Sequence, residues 1–451
     1  MNARLRVVAS VGAAVLAAAA CSSGSPSNGF PGGSDGGSSS GTSGGSSGGS
    51  SGTGGGDGST PTFGDGQAGS SSGGTVHCNV TDPNADMDKD GWSPNQGDCN
   101  DCDPNVNPGA IDVLHPNDGG TPTWGDEDCD GKPGDSGESC DQGLALTDVT
   151  AGDAAKAIEL CTTASMSDRK YGVLSAAYVR ANGAPFASPS LQVGIESAWG
   201  ANVKAQGGQN MLAMSSGYAR TVGQAGACNG ISCQINATAT PPPGFPQDDP
   251  ACPPTPAIAD DVALELQVRV PTNAAGYTFN LKFYSFEFPD WVCDTHGYND
   301  QFVALVSPPP TGSYVPSGST FGNVSFDSNN HPVSVNLGFF DVCDPSTPQR
   351  FAANCRKTAG ATCPALPSSY CPLGVGDLQG TGFDVWHTTV GPAGATRWLV
   401  TQAPAQPGAV ITIRFAIWDA GNGQFDSTVL LDNFHWIATG GTVAVGTTPA
   451  Q

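Results

Sequence analysis

The segment from Asp82 to Asp141 carries sixteen carboxylates against two lysines, with few apolar side chains among them. Such a stretch cannot close around a hydrophobic core, so its shape has to come from bound ions and covalent links. The acids are ordered. Asp86, Asp88, Asp90 and Gly91, then Asp126, Asp128, Asp130 and Gly131, form two Asp-x-Asp-x-Asp-Gly loops. Alternating aspartates repel one another unless a hard cation sits between them, and glycine at the sixth position permits the turn that wraps oxygens around it.

Counting from Asp86, further oxygens fall at Asp88, Asp90 and the main-chain carbonyl of Trp92. Position twelve is Gly97, so the closing carboxylate is expected from Asp98, with Asp101 and Asp103 left for a neighbouring ion. In the second loop Asp135 is the expected late ligand. No helical periodicity flanks either loop, which excludes EF-hands. Cys78, Cys99, Cys102, Cys129 and Cys140 are the covalent candidates. An all-oxygen set suits several calcium ions; copper(II) prefers nitrogen, and His115 is the segment's one histidine. The alternative is an acidic, solvated spacer holding no ion.

The string Asp88 to Gly91, Gly97-Asp98-Cys99, Asp101, Asp103-Pro104, Asn107-Pro108-Gly109-Ala110 and Asp126 to Gly131 resembles the MopE-type metal-binding repeat. That repeat is similar in style to thrombospondin type 3 calcium repeats. Asp112 stands where it usually has Glu. The namesake's link with copper keeps that metal as the rival.

Residues 1–20 read as a secretion signal: Arg4 and Arg6, then an apolar run from Val7 to Ala20, shorter than the ~20 residues of a membrane-spanning helix. Ala18-Ala19-Ala20-Cys21 resembles the bacterial lipobox, which implies lipidation at Cys21; an ordinary signal peptide is the alternative. Fifteen cysteines are an odd number, and giving Cys21 to a lipid leaves fourteen for disulfides in an oxidising compartment. Ser22 and Ser23 resemble an outer-membrane sorting signal. Residues 21–76 are almost wholly Gly and Ser, too polar to offset their ordering entropy, and are expected to be a disordered tether. Its root-mean-square span would be roughly 40 Å. The net charge of −24 argues against nucleic acid and anionic lipid surfaces as partners.

After the acidic module, placed at 77–142, residues 143–440 carry the apolar content. Thr150 and Asp153 look like a helix cap before Ala154, Ala157, Ile158 and Cys161. The rest reads as strand. Val262 to Val270 alternates apolar and polar, as does Tyr277 to Phe283, after which the register shifts to Tyr284, Phe286 and Phe288 and suggests a bulge. Ile411 to Ile417 and Thr428 to Trp436 are two more strands. The expected fold is mainly β: an antiparallel, jelly-roll-like β-sandwich with one short helix. Residues 441–451 read as a polar tail.

Phe283 to Cys293, Tyr298-Asn299-Asp300-Gln301-Phe302, Trp418-Asp419 and Phe425-Asp426-Ser427 resemble the choice-of-anchor L family of bacterial surface proteins, with Gly207-Gly208 and Met214 to Gly217 similar to its early segment. The resemblance implies surface display and no established biochemical activity. With a polar C-terminal tail, the N-terminal lipid is the expected anchor. Glu287, Asp300, Asp419, Asn422 and Asp426 lie beside strand ends in the matched strings and form a candidate second metal site. Turn-capping is the plainer use of Asn299-Asp300 and Asp426-Ser427. Trp291 and Trp386 are candidates for sugar stacking, with core packing as the alternative. No Gly-x-Ser-x-Gly elbow occurs in residues 143–440, the histidines at 296, 331, 387 and 435 lack zinc spacing, and no carboxylate pair stands out as catalytic. The expectation is a non-enzymatic envelope protein that binds extracellular glycan or matrix. Its alternative is a structural or metal-sequestering role.

Overall fold

Alternation of apolar side chains sets the architecture, because a strand that buries every second residue needs a second sheet to bury it against. The computed structural model describes residues 80–116, 120–134, 140–186, 188–233, 235, 237–249, 252–294, 296–336, 339–344, 371–384, 393–438 and 442–450. The signal and tether (1–76), Cys21, Cys78, Asp135, Trp386 and His387 lie outside them. The longer strands are β1 (Gly172–Val179), β2 (Val193–Glu196), β3 (Met211–Ser215), β4 (Ile258–Arg269), β5 (Gly276–Ser285), β6 (Gln301–Ser307), β7 (Leu399–Pro404), β8 (Val410–Ala420), β9 (Ser427–Ile437) and β10 (Gly446–Pro449).

Two antiparallel sheets result. One runs β2-β3-β9-β5, with β7 and the short strands Gly394–Thr396 and Phe340–Val342 beyond β5. The other runs β1-β4-β8-β6, with Gly322–Asn323 and Val333–Ser334 against β6. Successive long strands change sheet from β4 to β5, β5 to β6, β7 to β8 and β8 to β9. The expected mainly β sandwich is therefore what forms. Its core takes one face of each sheet: Val262, Leu264, Leu266 and Val268 meet Phe279, Leu281, Phe283, Phe415 and Leu431. Phe279 and Phe415 pack edge to face at 5.0 Å between centroids. Each such buried side chain contributes about 1.5–3 kcal/mol. The polar residues of β4 pair across strands; Glu265 sits opposite Arg414 and accepts its Nε–H at 2.8 Å.

The expected bulge between Phe283 and Tyr284 does not form there. β5 continues through both, and its register shift against β9 falls between Thr278 and Asn280. The apolar set changes parity because the outer face is covered as well. Tyr284 and Phe286 pack with Trp199, Leu378 and Phe383 in a separate cluster outside the first sheet. A third cluster, with Val303, Leu305 and Trp418, covers the second.

The helix is shorter than its apolar spacing suggests, Ala151–Lys156, and Thr150 Oγ1 accepts the Asp153 N–H at 3.1 Å as its cap. Residues 446–449, expected as polar tail, instead pair with β7, and Thr447 joins Thr401 and Ser325 in a buried hydroxyl group. The acidic segment is stitched to the sandwich. Thr272 N–H donates to the Gly109 carbonyl at 2.9 Å, Asn273 exchanges two hydrogen bonds with Ile111, and the Arg169 guanidinium lies 4.5 Å from the Trp92 ring centre. Five disulfides join described cysteines: Cys99–Cys129, Cys140–Cys161, Cys228–Cys233, Cys252–Cys293 and Cys343–Cys371. Cys140–Cys161 ties the end of the acidic segment to the chain just after the helix Ala151–Lys156.

Candidate metal centres

In both Asp loops each aspartate accepts backbone N–H groups, Asp86 with both of its oxygens. Asp86 Oδ2 accepts the Gly91 N–H at 2.9 Å and Asp126 Oδ1 that of Gly131 at 3.2 Å, the same five-residue reach. Asp88 accepts from Asp90, Asp90 from Trp92, Asp128 from Asp130, and Asp130 from Lys132, all two residues on. Gly91 and Gly131 have φ of 97° and 84°, backbone that favours glycine and lets these turns close. Asp88 and Asp90 give the turn one oxygen each, and Oδ2 of each is left over.

The first loop also gathers its carboxylates. Asp86, Asp88 and Asp90 each present an oxygen within 4.8 Å of the others, and so do Asp88, Asp98 and Asp101. Asp88 belongs to both sets. Oδ2 of Asp88, of Asp90 and of Asp98 is buried with no hydrogen-bond donor. Burial foremost, then the neighbouring carboxylates, holds all three above the usual carboxylate range, Asp90 at about 6. Asp98 and Asp101 meet Asp88 in the second of these sets, and neither is grouped with Asp86 and Asp90. Asp103 instead accepts from Asn105 and joins neither set, and Trp92 is a buried packing residue under Arg169.

The second loop differs from its expectation. Asp126 and Asp128 come together with Asp112, which the spacing count did not assign to the loop. Asp112 Oδ1 accepts the Glu127 and Asp128 N–H groups, drawing the preceding strand pair (Leu114–His115 with Thr123–Trp124) onto the loop. Asp130 lies outside the set, 3.6 Å from the Lys132 ammonium. The signal that could have found Asp112 is its place after Pro108-Gly109-Ala110, where the repeat carries its Glu. His115 is held by Glu127 at 2.6 Å and joins no described cluster, so the donor sets here are all oxygen. That chemistry fits calcium and not copper.

A separate acidic group forms at one end of the sandwich. Glu287 follows β5, Asp300 precedes β6, and Asp419 is on β8; the structure buries all three completely or nearly so. Each is held well above its usual value, first by burial and next by a neighbour: Asp419 acts on Glu287, Glu287 on Asp300, and Asp300 on Asp419. Asp426 is beside them, raised to about 7 by burial, with one oxygen accepting the Cys233 N–H. Asn422 is not brought in. It is exposed and caps the Gln424 N–H.

A third group had no sequence signal beyond Gly207-Gly208. Asp141, Glu159 and Asp432 meet where that Gly-Gly turn passes, so close that a Cβ on either glycine would lie 2.6 Å from a Glu159 oxygen. Asp141 Oδ2 accepts from Gln209 and Asp432 Oδ2 from Gln206, while Glu159 Oε2 accepts from Asn433. Burial chiefly, with the Asp432 charge next, lifts Glu159 to about 9, and burial lifts Asp432 to about 7. A carboxyl raised on folding contributes stability that is whole below its unfolded value and lost as pH rises through the folded one. In saturating calcium the melting temperature should therefore fall as pH rises from about 4.5, the unfolded Glu value, to about 9. Glu159→Gln should flatten that fall by on the order of a few °C, read by calorimetry across pH. Parallel slopes for the two proteins would refute it.

No family model matches this chain, and no curated protein or solved structure matches it either. Among the described residues, no helix is long and apolar enough to cross a membrane.

Proposed function

We propose that this is a lipid-anchored protein of the bacterial cell surface, in which a calcium-stapled acidic module is fastened to a β-sandwich that binds an extracellular glycan or matrix. The observation that carries the calcium reading is the division of labour within the Asp loops. Asp88 and Asp90 each give one oxygen to the turn and keep Oδ2 buried without a donor, and the loop carboxylates gather within 4.8 Å as hard, all-oxygen donor sets. Several disulfides fit an oxidising, extracytoplasmic compartment. Cys21 is the lipid site, the tether spans the gap from an outer membrane, and the resemblance to choice-of-anchor L proteins supports display outside the cell.

The binding half of the reading rests on aromatics. Trp291 is half-buried and packs against Tyr298 and Phe425, while His296 stacks on Tyr298 at 5.1 Å and is exposed. A partly open aromatic stack beside polar loops is suited to the apolar face of a sugar. The function proposed is binding. The test is retention of the purified chain on glycan and matrix arrays. Signal in calcium that EDTA abolishes, and that Trp291→Ala reduces tenfold or more, is the expected result. Silence across such arrays would leave the structural or metal-sequestering alternative, which the converging carboxylates favour on their own.

A further inference from the structure

The geometry points to a buried divalent-cation centre at Glu287, Asp300 and Asp419, distinct from the Asp loops and placed where the two sheets meet. The donors come from three elements: the end of β5, the start of β6, and β8. Asp300 organises the site. Its N–H donates to Glu287 Oε2 at 3.2 Å, its Oδ1 accepts the Ala420 N–H at 2.8 Å, and its Oδ2 accepts the Ser427 hydroxyl at 2.6 Å. Fixed in this way, it holds Glu287 and the strand carrying Asp419 in register.

Asp419 is the decisive residue. It is 1% exposed, and neither of its carboxylate oxygens has a hydrogen-bond partner. Glu287 is fully buried, and its Oε1 has none either. The neighbouring Ser216 hydroxyl is committed to Ser427, accepting its N–H at 2.9 Å and donating to its carbonyl at 3.3 Å. Among the described residues no lysine, arginine or histidine makes an ion pair with any of the three acids. Leaving such a group ionised in a dry interior is costly, and protonating it creates a buried O–H that needs an acceptor. A proton on Asp419 would find an acceptor in the Asp300 carboxylate, which still leaves the second Asp419 oxygen buried without a partner. A cation satisfies both of its oxygens at once and neutralises its neighbours.

The donor type names the cation. Carboxylate oxygens, with no imidazole or thiolate among them, select a hard ion, and the option of bidentate binding by Asp419 suits calcium over magnesium. Enclosure by the sandwich makes this ion one that enters during folding and leaves only on unfolding. The loop ions, held by sets that each include an exposed or half-buried aspartate, exchange freely.

That difference supplies the test. The full-length protein is dialysed exhaustively against EDTA at neutral pH, its fold is followed by circular dichroism, and its calcium is counted by plasma emission. About one calcium per chain should survive dialysis and be released only in guanidinium. Asp419→Asn should retain none, and Asp88→Asn should retain as much as the unaltered protein. Folded wild-type protein that emerges calcium-free overturns the proposal, as does Asp419→Asn that retains the wild-type amount. If Asp419→Asn does not fold, refolding decides. Wild type and Asp88→Asn, unfolded in guanidinium with EDTA, should regain their near-ultraviolet dichroism only after calcium is added; regaining it in EDTA overturns the proposal. The loop reading fails separately, through an Asp88→Asn protein whose calcium content before dialysis equals that of the wild type.

Discussion

Withdrawing calcium from the Asp loops should lower the unfolding free energy by about 2.7 kcal/mol for each loop ion, relative to protein held at a hundred times the dissociation constant. The reasoning is mass action: an ion bound only by the folded loop stabilises it, and extracellular sites of this kind bind at about 0.1–1 mM. The structure ranks the substitutions. Asp88 belongs to both oxygen sets of the first loop, so Asp88→Asn should weaken calcium binding more than Asp86→Asn or Asp103→Asn. In the second loop Asp112→Asn should cost more than Asp130→Asn, because Asp112 joins Asp126 and Asp128 while Asp130 turns to Lys132. Calcium titration calorimetry with paired melts checks both orders. A melt that EDTA leaves unmoved would remove the ions from the account. The effect should also show as new protease cuts at residues 86–134, held on through Cys99–Cys129 and Cys140–Cys161.

The second large effect concerns a lysine inside the first sheet. Lys282 is on β5, fully buried, and its ammonium donates to Asp377 at 2.9 Å and to the Thr396 carbonyl at 2.6 Å. Burial pushes its pKa down while Asp377 pulls it back up. Removing the partner leaves a buried charge, which costs about 3–5 kcal/mol when the pair is wholly enclosed. Because Asp377 is partly solvated, Asp377→Ala should fall near the low end of that range, read by denaturant unfolding. Lys282→Met should cost far less, and the double variant should recover most of the loss. A double variant as unstable as Asp377→Ala alone would mean the loop around residues 376–378 matters through packing and not through charge.

What was legible in the chain follows from distance along it. The turn hydrogen bonds of the Asp loops reach two or five residues, so the spacing Asp86, Asp88, Asp90, Gly91 states them directly. The alternation in β4 and β8 is legible for the same reason, since consecutive side chains must face opposite ways. The change of parity after Phe283 was misleading because it records a second covered face, and a face is covered by residues such as Trp199 and Phe383 from far away in sequence. The strand at residues 446–449 carries no apolar alternation at all; its Thr447 is placed by hydroxyl partners on other strands.

The acids show the division most plainly. The sequence by itself determined that residues 82–141 would be shaped by their own carboxylates, and that long alternating runs would make sheets, since both depend on neighbours within a turn or a pleat. Tertiary structure alone decided which acids meet. Asp112 joins Asp126, and Asp300 reaches Ala420 and Ser427, spans of 120 and 127 residues. Glu159 reaches Asn433 across 274. Encounters at that range are fixed by strand register and by how two sheets stack, quantities that belong to the packed whole and to no local string.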